Sequence, residues 1–195
     1  LATQTMARGA ALYITNGQNI YEIGNYAIVG QGSIGFIPIP VIFMFCIFIF
    51  MLYVMRHTKW GRSTYAVGGN VEAANAAGIN TNMVVMKAYL LNGILVGIAA
   101  VLFMSRVNGG LPAGASGYEM DGLTATIVGG TSFTGGIGTP WGTVIGAFVV
   151  GFLGNIMNLV SIDSYIQQIV KGAIIAFAVI WDITSKSRQT YKKGK

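Results

Sequence analysis

Of 195 residues, 53% are hydrophobic and 9% charged, and the mean hydropathy is +0.63, a balance that argues against a soluble globular domain. The net charge of +6 comes from Lys and Arg placed beside apolar runs rather than in a long basic stripe, so it points to membrane orientation and away from nucleic acid. One Cys and one His leave no intrachain disulfide and no Cys/His metal site, and no cofactor or metal is expected.

Residues 1–15, LATQTMARGAALYIT, read as the last turns of an earlier helix, in which Arg8 needs a partner or an interface position. With no initiator Met and no basic region before a short apolar core, a signal peptide is not expected, and the chain reads as the C-terminal portion of a longer one. Residues 16–36 carry Gly17, Gly24, Gly30, Gly32 and Gly35 and read as a looped outer segment containing Glu22.

The first full span is predicted over 37–55. Its core, PIPVIFMFCIFIFMLYVM, has no charge and is apolar on every helix face, which suits lipid or a bundle interior. About 20 helical residues cross a hydrocarbon layer of roughly 30 Å. Cys46, mid-run, reads as a packing residue, and Arg56, His57, Lys59 and Arg62 stop the run.

Residues 61–80, GRSTYAVGGNVEAANAAGIN, are polar, rich in small residues, and read as a loop carrying a short surface helix. Asn70 suits an N-cap, Val71 to Ala77 favours helix, Glu72 sits at the positive helix end and Gly78 suits a left-handed C-terminal cap. Two turns are marginal alone in water, so a partner with a matching groove is the expected support, with an ordered connecting loop as the alternative.

Further spans are predicted over 84–104, with Lys87 near its start, over 141–160, and over 166–182, with Lys171 inside it. Gly93/Gly97 and Gly142/Gly146 are spaced as GxxxG and read as helix-packing positions. Lys186, Arg188, Lys192, Lys193 and Lys195 then mark a tail on the same inner side as Arg56, Lys59, Arg62 and Lys87. An even number of crossings must separate two inner segments, and only three strong spans are available. Residues 120–133, MDGLTATIVGGTSF, supply a short or broken fourth crossing, tolerated at membrane depth only inside protein or along a water-filled cavity. Glu22, Glu119, Asp121 and Asp163 then fall on the outer side and the turn FTGGIGTP, residues 133–140, on the inner.

The glycines of GGTSFTGGIG, residues 129–138, lack the Gly-Lys-Ser/Thr ending of a phosphate loop and read as a sharp turn that permits close helix approach. No nucleophile and base are paired for catalysis. Polar residues near or within spans, namely Asn92, Asn108, Thr124, Thr126, Asn155 and Asn158, are available to line a path. Glu119, Asp121, Thr124 and Asn155 are the candidate translocation-path residues.

The 61–80 stretch resembles the form GR-x-x-YA-x-GGN-x-EAA-x-x-(S/A)GI-N found in permeases of bacterial ABC importers of the ribose, xylose and galactose class. Gly61, Arg62, Tyr65, Ala66, Gly68, Gly69, Asn70, Glu72, Ala73, Ala74, Gly78, Ile79 and Asn80 fit it. Residues 117–147 resemble that family's YELDAIAA followed by GGTS-x-x-GG-x-G, with Gly122 where Ala is usual, and the likeness continues through 165–182.

That resemblance implies an all-α, polytopic transmembrane helical bundle forming a single permease domain over 1–195. It implies a short cytoplasmic coupling helix at Gly69 to Gly78, with Gly69, Asn70, Val71, Glu72, Ala73, Ala74 and Gly78 docking a separate cytoplasmic ATP-binding subunit. The other partners implied are a second permease copy, a periplasmic or lipid-anchored sugar-binding protein, the lipid bilayer and a monosaccharide such as galactose, methyl-galactoside, ribose or xylose. Location in the bacterial cytoplasmic membrane with an inner C-terminus follows, and no enzymatic activity is expected of this chain. An ion-coupled secondary transporter shares broken helices and intramembrane charge but has no need of the 69–78 element. A non-transporting structural membrane subunit would not explain acids at the end of a broken crossing.

Overall fold

The computed structural model describes residues 2–21 and 24–193, with side chains described through Ile180 and at Thr184. Glu22 lies outside these residues, as do Lys195 and the side chains of Lys186, Arg188, Lys192 and Lys193. The described chain is dominated by helix, as an all-α membrane bundle requires: backbone groups facing lipid have no water to pair with and must be satisfied within the segment. Three of the described helices are long and apolar enough to cross a membrane, Ile39–His57, Thr81–Val107 and Pro140–Leu159, so the chain is a multi-pass membrane protein.

Contacts gather into two compact units, Leu1–Met51 with Val85–Ser116 and Leu52–Val84 with Gly117–Lys195. The first holds α1 (Ala2–Thr15), the strand β1 (Ile20–Tyr21), a 3-10 turn at Gly24–Tyr26, α2 (Ala27–Gln31), β2 (Ser33–Ile34), β3 (Ile37–Pro38) and most of α3 (Ile39–His57). It also holds most of α6 (Thr81–Val107) and β4 (Gly109–Gly110), which pairs antiparallel with β1. The segment expected as an open loop at 16–36 is therefore short regular pieces. They are tied down by Ser105, 1% exposed, whose hydroxyl donates to the Tyr26 carbonyl at 2.6 Å, and by the Gln31 amide donating to the Arg106 carbonyl at 3.1 Å. Gly30 lies against the backbone of Ser105 and Arg106 with no room for a side chain. The Arg8 guanidinium donates to the Ser116 hydroxyl at 3.4 Å, which is the polar partner its position called for.

Cys46, read as a packing residue, is exposed on α3 and so is not part of the buried core among the described residues. A helix apolar on all faces leaves some of them to lipid or to other chains, and Phe43, Phe45, Ile49 and Phe50 are likewise exposed. Gly93 and Gly97 on α6 have no heavy atom within 4 Å of where a side chain would begin. Among the described residues of its unit, that GxxxG pair meets no packing partner.

The second unit holds α4 (Lys59–Gly69), α5 (Val71–Ala76), α7 (Tyr118–Val128), α8 (Pro140–Leu159) and α9 (Ser164–Lys193). The residues before Asn70, expected as loop, form α4, because Thr58 caps it by accepting from the Gly61 amide at 3.0 Å. The short crossing expected over 120–133 is helical as far as Val128, then turns. Its 11 residues rise about 16 Å, roughly half a hydrocarbon layer.

α7 is seated on α8 by backbone contact. Gly142 lies against the Gly129 carbonyl and Gly146 against the Ala125 carbonyl, so the second GxxxG pair does pack. Thr124, Ala125 and Ile127 of α7 are buried, with Gly146, Val150 and Met157 of α8. Thr139 caps α8 by accepting from the Gly142 amide at 3.1 Å, and Pro140 at the first position gives up an amide that would have had no helical partner.

Candidate coupling surface and membrane ion pair

The 61–80 stretch folds as two capped helices in series. Asn70 ends α4 and caps α5, its side-chain oxygen accepting from the Ala73 amide at 2.9 Å, and Asn80 accepts from the Met83 amide at 3.0 Å at the start of α6. Each cap satisfies an amide with no partner in the first helical turn. Gly78 has φ +79, the left-handed geometry foreseen for it, and Glu72 lies in the first turn of α5.

What holds so short a helix is partly internal. Ala74, 4% exposed, packs with Val67 and Val84 in a cluster edged by Trp60 and Ile79. The Trp60 indole donates to the Val84 carbonyl at 3.3 Å, and the Thr81 hydroxyl donates to the Asn75 side-chain oxygen at 3.0 Å. One small residue per turn is too sparse a signal to read as a buried stripe, so sequence missed this support. Val71, Glu72, Ala73 and Gly78 remain exposed, as does Gly69, leaving one outward face of α5 with a single buried anchor behind it.

The glycine-rich turn after α7 lies against α4. Gly68 faces the Gly136 nitrogen and Gly136 faces Gly69, with 2.7 Å to the nearest atom from where a Cβ would stand in each case. The Tyr65 hydroxyl donates to the Gly138 carbonyl at 3.0 Å. These contacts join residues about 70 positions apart, which no local pattern signals.

Of the path candidates, Glu119 is exposed and Asp121 half-buried, both in the first turn of α7, where the helix dipole favours carboxylates. Asp121 is paired: the Lys171 ammonium stands 2.7 Å from one carboxylate oxygen and 3.0 Å from the other. The charge that looked isolated in the last apolar helix is thus neutralised across α7 and α9. Thr124 is 1% exposed and its hydroxyl donates to the Met120 carbonyl at 2.6 Å. Asn155 is exposed on α8. Among the described residues, no group of three His, Cys, Asp or Glu gathers to hold a metal.

The sequence profile of the family described as "branched-chain amino acid transport system / permease component" matches residues 2–179. The ribose import permease protein of Bacillus subtilis is 39% identical over 185 residues, covering 93% of this chain and 58% of that protein. Its counterpart in Escherichia coli K12 is 38% identical over 187 residues, covering 93% of this chain and 58% of that protein. The xylose transport system permease protein of Haemophilus influenzae is 37% identical over 152 residues, covering 78% of this chain and 40% of that protein. The chain therefore spans about 58% of the length of the ribose permeases it matches. No solved structure matches it significantly.

Proposed function

The chain belongs to the permease family described for branched-chain amino acid transport systems, and we propose that it forms part of the membrane subunit of an ATP-driven importer of a monosaccharide. The relatives named for ribose and xylose favour a sugar over the amino acid in the family's description. The single observation that carries the reading is the outward face of α5 on a helix anchored from behind by Ala74. A presented, capped, partly supported helix suits docking into a groove of a cytoplasmic ATP-binding subunit.

In this reading residues 1–195 act as one permease domain in the bacterial cytoplasmic membrane, paired with a second copy around a central path. An external binding protein delivers the sugar. ATP binding on the attached subunits closes them, moves α5 and switches the side to which the path opens, as alternating access requires. Bond chemistry belongs to the ATP-binding subunit. Glu119 and Asn155, both exposed, are the proposed path positions, while Thr124 packs and Asp121 clamps.

Deleting Val71 to Ala77 from the tagged full-length protein is expected to leave it inserted but to abolish co-purification of an ATPase subunit and at least nine-tenths of sugar uptake. Undiminished uptake would remove α5 from the coupling role, and absence of any ATPase with the unaltered protein would favour an ion-coupled carrier. For orientation, a cysteine placed at position 192 is expected to resist an impermeant thiol reagent added outside intact cells; labelling there would invert the topology.

A further inference from the structure

Between α4 and the turn after α7, side chains are missing where two backbones meet. We infer that Gly68–Gly69 and Gly135–Gly136 form a backbone lock that makes the glycine turn part of the coupling element, so that movement of α5 passes through α4 to α7 and α8. The inference rests on the importer reading and adds to it the positioning residues that transmit the motion.

The contacts form one unbroken series within a single compact unit. Ala74 of α5 packs with Val67 of α4, the neighbour of Gly68. A Cβ on Gly68 would stand 2.7 Å from the Gly136 nitrogen, and one on Gly135 would stand 2.7 Å from the Gly68 carbonyl oxygen. Tyr65 adds its hydrogen bond to the Gly138 carbonyl, 3.0 Å long. Gly135 and Gly136 have φ +90 and +77, the left-handed region where only glycine is free of strain, so the turn's shape and its close approach are set by the same residues.

The turn is braced by hydrogen bonds of its own. The Ser132 amide donates to the Ile137 carbonyl at 2.9 Å, the Gly135 amide to the Ser132 carbonyl at 3.1 Å, and Ser132 is buried at 8% exposure. At one end of the turn Gly129 meets the Gly142 carbonyl, and further along α8 Gly146 meets the Ala125 carbonyl. Close-packed backbones with no intervening side chains leave no rotamers to absorb a shift, and such interfaces respond by moving together.

Gly68→Ala separates this role from helix stability. Its backbone is not in the left-handed region, so alanine favours α4 itself, while the added methyl meets the Gly136 backbone. In purified full-length protein, amide hydrogen exchange over 131–138 is expected to rise tenfold or more. In the assembled importer, the ATPase subunit should still co-purify while sugar moved per ATP hydrolysed falls at least fivefold. Tyr65→Phe, which keeps the ring and removes the hydroxyl, should lower the same ratio about twofold. Unchanged exchange, an unchanged sugar-to-ATP ratio in both variants, or loss of the ATPase subunit from Gly68→Ala overturns the lock. An ATPase subunit absent from the unaltered protein overturns the importer reading itself, a result distinct from an unchanged ratio with the subunit present.

Discussion

Gly146→Leu is expected to leave little folded protein. The Gly146 backbone lies against the Ala125 carbonyl, and a Cβ there would also stand 2.8 Å from the Gly129 nitrogen. Both neighbours are backbone, so no side chain can rotate away. Adding bulk to a packed site costs about 1–3 kcal/mol where side chains can adjust, and here whole helices must part, so the upper end of that range or beyond applies. The measurement is the fraction of detergent-solubilised full-length protein that elutes as a single species, with its thermal midpoint. Gly151→Ala and Gly154→Ala on the same helix are the controls, since a Cβ at either would meet no described atom within 4 Å beyond its own stretch of helix. They should be neutral or stabilising by up to about 1 kcal/mol, through helix propensity. A Gly146→Leu protein as stable as these controls would mean that α7 is not seated on α8.

The second large effect is expected at the ion pair. Lys171→Met leaves the Asp121 carboxylate without its cation in an apolar helical setting, and Asp121→Asn leaves the Lys171 ammonium likewise. Charges of this kind cost about 3 kcal/mol at a helix centre on insertion scales. With side-chain exposures of 25% and 30%, each single variant is expected to lose about 1–3 kcal/mol. The double variant, which retains no unpaired charge, should recover most of the loss in a double-mutant cycle read by thermal unfolding. It should also recover uptake, because the pair clamps α7 to α9. Losses that simply add would show that the two charges do not interact, and recovered folding without uptake would move Asp121 into the path.

The 61–80 stretch shows how local and distant information divide. Asn70 as a cap, Glu72 in the first turn and Gly78 in the left-handed region were readable because caps act within about four residues. The helix before Asn70 was not read, although Thr58 stands at its start, because Gly61, Gly68 and Gly69 look like loop residues. Two of them make room for a neighbour: Gly61 lies against the Val54 and Met55 backbone, and Gly68 against Gly136, whereas a Cβ on Gly69 would meet nothing within 4 Å. Composition alone cannot distinguish a glycine that frees the chain from one that makes room for a neighbour.

By itself the sequence determined that this is a helical membrane protein, where its three longest apolar helices fall, and which family it joins. Those properties depend on uncharged runs long enough for a bilayer and on ordered motifs, both of which are contiguous in the chain. Only the tertiary structure decided which GxxxG pair packs within the chain, that Lys171 finds Asp121 fifty positions away, and that the glycine turn rests on α4. Those outcomes depend on which helices meet, and lipid gives apolar surfaces little reason to prefer one partner over another. The choice falls to close backbone approach and polar pairing, interactions whose two halves lie far apart in the chain.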